Sequence, residues 1–384
     1  MKSHYLLLIL CLNFFSLSGQ DLDYSINDRI VSSLSDSVSI VGLGDPTHQE
    51  STITKYRIDL IKKLVKEKDF KIIAIEGNFL ELYEAHQDFL KTKNYSSYEK
   101  AMFSQLNATE MKELYDFVYE ENKAGNPIYF IGFDVAFSGS TFTMKVKEKL
   151  AKSPIFTEKE KKHFTKLIKK VSNTSFGAIF RNPEKLKRKL KPYLEKIISQ
   201  FKTENESDFF FLQAILSLNY YLYSSEDATK DSRRDYTMSY NLSFIKNHFE
   251  KEKIILFGSS THLLKNPNNI KDNYSDTRIS FGEELNKKYG KAYHFIAYTA
   301  LSGTKYNPFG KPSVLPKLSE NSIEKYVEKQ YDNLPLYLRP QDFEAKEPME
   351  CRFLGHTFER CNLWKVFDSL VLIGDVKSFE IKKQ

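Results

Sequence analysis

Cysteine is scarce in this chain, three residues in 384, and the first of them lies inside an apolar N-terminal stretch. That excludes a small disulfide-dense scaffold, and no paired spacing of Cys and His points to a zinc centre. A phosphate-cradling glycine loop, a dinucleotide fingerprint and H-E-x-x-H are all missing, so no cofactor is expected and no metal is assigned. G-x-S-x-G is missing too, and an elbow-type serine hydrolase is discounted. The chain has neither internal repeats nor low-complexity linkers. Beyond the N-terminus no apolar run is long enough to cross a bilayer, which argues against a stable membrane anchor. Charge of one sign does not dominate: 57 basic and 50 acidic residues leave +7. The lysine runs "EKEKKHFTKLIKK" and "PEKLKRKLKPYLEK" carry Leu, Ile or Phe at helical spacing. Without Gly/Arg or base-stacking patterns beside them they read as solvated helix faces, and no nucleic-acid partner is implied.

The N-terminus reads "MKSHYLLLILCLNFFSLSGQ". One lysine, about a dozen apolar residues and a small, polar exit form a secretory signal over residues 1–20, with cleavage near Gly19 or Gln20. Cys11 follows Leu10 rather than a small residue, so it does not read as a lipid-attachment site. The expected mature chain is exported, periplasmic or extracellular, and residues 21–384 read as a single domain. Its cysteines, Cys351 and Cys361, lie in "CRFLGHTFERC". In an oxidising compartment a local disulfide is the favoured reading, with two thiols as the alternative. A zinc reading through His356 lacks further ligands.

Short apolar runs bounded by turn signals recur at 37–44, 71–77, 127–133, 253–259, 292–299 and 369–374. They lack polar alternation, as strands covered on both faces do. Helical patterns separate the early ones, so the expected fold is α/β, with a mainly parallel central sheet and helices on both faces. Residues at about 143–230 read as consecutive helices, a helical insertion or lobe. Residues 303–350, with six prolines, read as mostly loop plus a short helix at "SIEKYVEKQY".

Polar residues gather just past the ends of these strands: Asp45, Glu76, Asp134, Ser259 and His262. In open α/β sheets that edge binds ligands. In "GLGDPTHQES" Thr47 and Glu50 fit a capping box, which would put His48 at the first helical position. The helix dipole would there disfavour the imidazolium and keep a neutral base; a decorative cap histidine is the bland alternative. In the helix that follows, Arg57 falls within the apolar stripe Ile53, Tyr56, Leu60, Ile61 and Leu64. An inward guanidinium needs carboxylates, and Asp45 and Glu76 are the expected partners, unless the side chain snorkels to solvent. In "RRDYTMSYNLSFIKNHF" Arg234 and Asn241 lie on or beside the apolar face of Met238, Leu242, Ile245 and Phe249. A polar cleft and a structural salt bridge with Ser232 as N-cap are equally open readings.

These residues carry a resemblance. "GLGDPTHQES…R", "IAIEGN", "IGFDV", "RRDYTMSYNL", "ILFGSSTHLLKN" and "FGEELNKKYG" occur in the order of motifs found in the erythromycin esterase family, across roughly residues 38–300. The resemblance implies an esterase that attacks with water and forms no covalent intermediate, on a macrolide lactone in the known cases. His48 matches that family's general base, Asp45 its first acid, and Glu76 and Arg57 its supporting acid and arginine. His262 matches the second histidine of its H-N-x-H segment. Asp134, Arg234, Asn241, Ser259 and His262 are expected on the substrate side. Three departures stand out: Asp45 replaces Glu, Gln49 replaces the glycine after histidine, and Ser259-Ser260 replace His-Asn. A macrolide substrate is therefore not implied.

The leading expectation is an exported hydrolase of an ester or lactone, acting on a small-molecule substrate through His48-activated water. A metal-dependent hydrolase or peptidase using His48, Glu76, Asp45 and His262 is an alternative, which metal analysis would discriminate. The other is a non-catalytic small-molecule-binding protein on the same fold, for which Ser259 is the best argument.

Overall fold

The computed structural model describes residues 22–137, 141–172, 183–223, 230–271, 279–306, 311–343 and 348–379. The expected signal segment lies outside the described residues. All six apolar runs form strands: β1 (Ile40–Asp45), β2 (Phe70–Asn78), β3 (Tyr129–Asp134), β4 (Lys253–Ser259), β5 (Tyr293–Tyr306) and a late strand. Before that late strand come two short ones, β6 (Pro312–Val314) and β7 (Leu336–Leu338), then the hairpin β8 (Met349–Leu354) and β9 (Thr357–Cys361). The late strand is β10 (Ser369–Val376).

The sheet runs β3-β2-β4-β1-β5-β10-β7, parallel as far as β10, with β7 antiparallel at the edge and β6 paired to β5. Alternate residues of each central strand enter opposite cores. Ile40, Ile72, Ala74, Ile254 and Leu256 face one, while Val41, Leu43, Ile73, Ile75 and Ile255 face the other. Both faces are covered, which is why the runs show no polar alternation.

On the second face lie α1 (Ser25–Ser33), α2 (Ser51–Lys68) and, beyond α3 (Phe79–Thr92) and α4 (Ser96–Ala101), α5 (Met111–Lys123). The expected stripe of α2 is buried in full, and each large aliphatic side chain there contributes about 1.5–3 kcal/mol. Asp69 ends α2 in a left-handed conformation at φ 59, its N–H on the Leu64 carbonyl, with Lys66 and Lys68 favourably placed near the negative helix end. Between β3 and β4 every described element is a helix: α6 (Thr141–Ala151), α7 (Glu158–Ser172), α8 (Pro183–Gln200), α9 (Glu206–Tyr223) and α10 (Lys230–His248). After β4 come the single turn α11 (Ser260–Leu263) and α12 (Phe281–Tyr289).

Among its described residues the stretch 303–350 holds more regular structure than the one expected helix. The expected helix is there (Ile323–Gln330), but so are β6, β7 and the start of β8. The favoured disulfide is not formed. Register separates the two cysteines, because Cys351 pairs with Glu359 and Cys361 with Met349. Cys351 instead donates to Glu324 Oε1 at 3.4 Å.

Candidate active site

The strand order sets Asp134, Glu76, Ser259 and Asp45 side by side at the carboxyl ends of β3, β2, β4 and β1. Close approach there requires glycine. A Cβ on Gly44 would lie 2.9 Å from the Ser260 backbone, and one on Gly258 only 3.0 Å from Glu76 Oε2.

Arg57 does reach inward, as its place in the stripe demands, and it is 0 % exposed. Its Nη1 donates to Asp45 Oδ2, and Nη2 donates to the carbonyls of Leu43 and Gly258 at 2.7 and 3.1 Å. The guanidinium also lies 3.4 Å over the Phe257 ring. Of its two expected partners only Asp45 is bound; Glu76 belongs to a different arginine. Burial raises the pKa of Asp45, but Arg57 and His48 outweigh it and hold the group below its ordinary value.

His48 departs from expectation in position and in charge. The helix begins at Ser51, after an N-cap residue, Glu50, that makes no side-chain cap, and no capping box forms. Thr47 donates its hydroxyl to the Glu50 carboxylate instead, because His48 adopts a left-handed backbone at φ 65 that stops the helix from starting earlier. The ring sits between two acids, Nδ1 at 2.8 Å from Asp45 Oδ1 and Nε2 at 3.3 Å from Glu76 Oε2. Burial opposes a charged ring, yet the two carboxylates push its pKa up to about 10. The neutral imidazole expected from the helix dipole gives way to a resting imidazolium.

Glu76 is the hub. Its Oε2 accepts the Ser259 N–H at 2.7 Å, and its Oε1 lies 3.0 Å from Arg234 Nη2 and 3.4 Å from His262 Nε2. Burial alone would raise its pKa; the charged His48 and Arg234 hold it well below the usual carboxylate range.

His262 comes from α11, whose N-cap is Ser259 through its hydroxyl. Nδ1 lies 2.5 Å from Asp235 Oδ1, and Nε2 is 2.9 Å from Arg234 Nη1. A guanidinium only donates, so Nε2 accepts there and the ring proton sits on Nδ1, toward Asp235. Two imidazole–carboxylate pairs, Asp45–His48 and Asp235–His262, thus aim their Nε2 atoms at the two oxygens of Glu76.

Of its two open readings Arg234 takes the salt bridge, and it does so without losing contact with solvent. Its Nε and Nη2 clasp Asp134, Nη2 also reaches Glu76, and 17 % of the side chain stays exposed. Burial works against its charge, but Asp134 and Glu76 raise its pKa. Asp134 is wholly buried behind it and also accepts the Val135 N–H at 2.7 Å, so it positions Arg234. Asn241 is buried as well, donating to the Phe133 carbonyl at 3.1 Å, so its side chain is spent on the backbone of β3. Ser232, the expected N-cap, lies inside α10.

Sequence reasoning missed Asp235. It precedes Met238 by three residues and Leu242 by seven, on the same inward stripe, and it is fully buried. The anomaly that singled out Arg57 would have found it.

The model of one protein family, erythromycin esterase, matches residues 65–373. The chain belongs to the erythromycin esterase family. The matched span contains Glu76, Asp134, Arg234, Asp235, Ser259 and His262, whereas the turn bearing Asp45 and His48 precedes it. A Bacillus subtilis (strain 168) protein named putative hydrolase YbfO is 21 % identical over 306 residues, covering 73 % of this chain and 69 % of its own. Among solved structures, an erythromycin esterase EreC mutant in its open conformation superposes with a TM-score of 0.69 at 18 % identity, over 96 % of this chain and 98 % of that one. A succinoglycan biosynthesis protein gives 0.76 at 18 % identity, over 90 % of each chain. A Bacillus cereus protein gives 0.73 at 18 % identity, over 94 % of each. At such identity these structures establish a shared fold alone.

Proposed function

We propose that this chain is a hydrolase that opens an ester or lactone of a small molecule by direct attack of water. Family membership and the hydrolase named among its relatives support the reaction class. The observation that carries the reading is the pair of Nε2 atoms, at 3.3 and 3.4 Å, flanking one carboxylate at the ligand-binding edge of the sheet.

In this reading the water oxygen bonds to the acyl carbon while its proton passes to His48 Nε2, as the family resemblance implies. The tetrahedral oxyanion forms beside Arg234, the site arginine that keeps exposed surface. Arg57, buried, keeps Asp45 ionised, and Asp45 fixes His48 by Nδ1. Collapse breaks the bond to the leaving oxygen, which takes the proton back from His48, so water and ester become acid and alcohol with the site unchanged. A resting imidazolium limits this base, because at neutral pH the working neutral ring is the minor form.

A panel of aryl and alkyl esters and lactones, run with the wild type and His48→Ala, tests the proposal. Removal of a general base costs about 10²–10⁴-fold in turnover. Equal turnover by the two proteins, or none by the wild type across the panel, would sink it.

A further inference from the structure

A third acid–imidazole pair lies directly behind the turn that carries His48. Glu50 is 1 % exposed. Its Oε1 faces His356 Nε2 at 2.8 Å and accepts the Thr47 hydroxyl, while Oε2 accepts the Gln49 N–H at 3.3 Å. His356 occupies the turn between β8 and β9, fully buried and itself left-handed at φ 56. That turn is bolted to the site's own: Gly355 N–H donates to the Pro46 carbonyl at 3.0 Å, and Lys305 Nζ donates to the Gly355 carbonyl at 2.5 Å. On the opposite side Phe379 N–H donates to the Gln49 carbonyl at 3.1 Å, and Ser51 N–H to the Lys377 carbonyl at 2.7 Å.

The contacts converge on the residues either side of His48. A left-handed backbone at a residue with a Cβ costs roughly 1–2 kcal/mol and persists only where its surroundings over-determine it. A buried ionisable pair is also a poor way to gain stability, since desolvation consumes most of the attraction and an apolar pair of equal volume serves as well or better. What it supplies here is direction: one carboxylate accepts from Thr47, from Gln49 and from a ring anchored more than three hundred residues along the chain.

We propose that Glu50 and His356 are a positioning pair, holding His48 in its left-handed conformation between Asp45 and Glu76. The inference rests on the hydrolase reading only in its kinetic arm. Neither residue touches the reacting atoms; they act through Thr47, Gln49 and the backbone of His48.

The test is a ¹⁵N-imidazole NMR titration of the full chain, with the His48 signal identified by its loss in His48→Gln. In the wild type the facing Asp45 and Glu76 are expected to hold the His48 titration well above the ordinary histidine value. In His356→Ala the released turn withdraws His48 from its acids, and its titration falls by at least one pH unit. His356→Gln keeps a donor toward Glu50 and restores most of that shift. On an ester turned over by the wild type, kcat falls about a hundredfold in His356→Ala, as a misplacement near 1 Å predicts, with KM changed less than threefold. An unchanged His48 titration in folded His356→Ala overturns the proposal, whether or not any ester is hydrolysed. Should that variant not fold, Thr47→Val is read in the same way: a downward shift supports the pair, and an unmoved titration overturns it. A wild type that turns over no ester removes the hydrolase reading and leaves the NMR result to decide this one.

Discussion

His48 and His262 face the same carboxylate from opposite sides, and each has an aspartate behind its Nδ1. They differ in what else meets Nε2. For His48 the partner is Glu76, so both ring nitrogens are drawn toward donating and the ring holds its proton. For His262 a guanidinium nitrogen stands at 2.9 Å, and Nε2 is left as an acceptor. One ring is charged and held by acids; the other presents a lone pair to a cation. An aspartate behind the ring therefore does not by itself decide which imidazole is the base. The group at the working nitrogen does.

The supports beneath the two rings differ too, and that yields the largest expected effect. Asp45 shares a wholly buried arginine with two carbonyl groups and an aromatic face. Arg57→Met removes the cation and leaves Asp45 buried with His48 as its remaining charged partner. Destabilisation of about 3–5 kcal/mol is expected in chemical denaturation. If the loss comes from the stranded carboxylate, adding Asp45→Asn recovers a large part of it. A double variant no better than the single one would show that Arg57 acts by packing and by its carbonyl contacts.

The pH dependence of kcat/KM sharpens the same contrast. If His48 takes the proton from water, only its neutral form works, and kcat/KM climbs about tenfold per pH unit above pH 7, levelling near pH 10. Between pH 7 and 9 that is about a hundredfold rise, measured on an ester whose uncatalysed hydrolysis is subtracted. A profile flat over this interval would exclude His48 as the base.

The sequence made some of this architecture readable for identifiable reasons. The six main strands announce themselves because burial on both faces needs unbroken apolar runs. Arg57 stands out because a charge within an apolar stripe has no cheap explanation. Thr47 and Glu50 misled: they fit a capping box, and nothing local reveals that His48 turns left-handed and delays the helix to Ser51. The Glu50–His356 contact spans a separation of 306 residues, and His356 lies beyond a proline-rich stretch, where strands of three residues such as β6 and β7 are too short to carry a readable period. The cysteines failed as a guide because proximity in sequence said nothing about hairpin register.

Asp235 provides the smallest test of the comparison and the one that separates its terms most cleanly. It meets His262 at 2.5 Å and lies fully buried, so Asp235→Asn keeps the shape and removes the charge. An Asn can still accept from Nδ1–H through its oxygen, which preserves the tautomer in one orientation of the amide. If His48 is the base and His262 only orients substrate or assists the leaving group, turnover falls about tenfold and the pH profile keeps its slope. If His262 is the base, the loss approaches the hundredfold or greater effect expected of a base whose supporting charge is gone. Steady-state kinetics of this one variant at pH 7 and pH 9 distinguishes these outcomes by the size of the loss, because only the ring that carries the reaction makes turnover depend strongly on the missing charge.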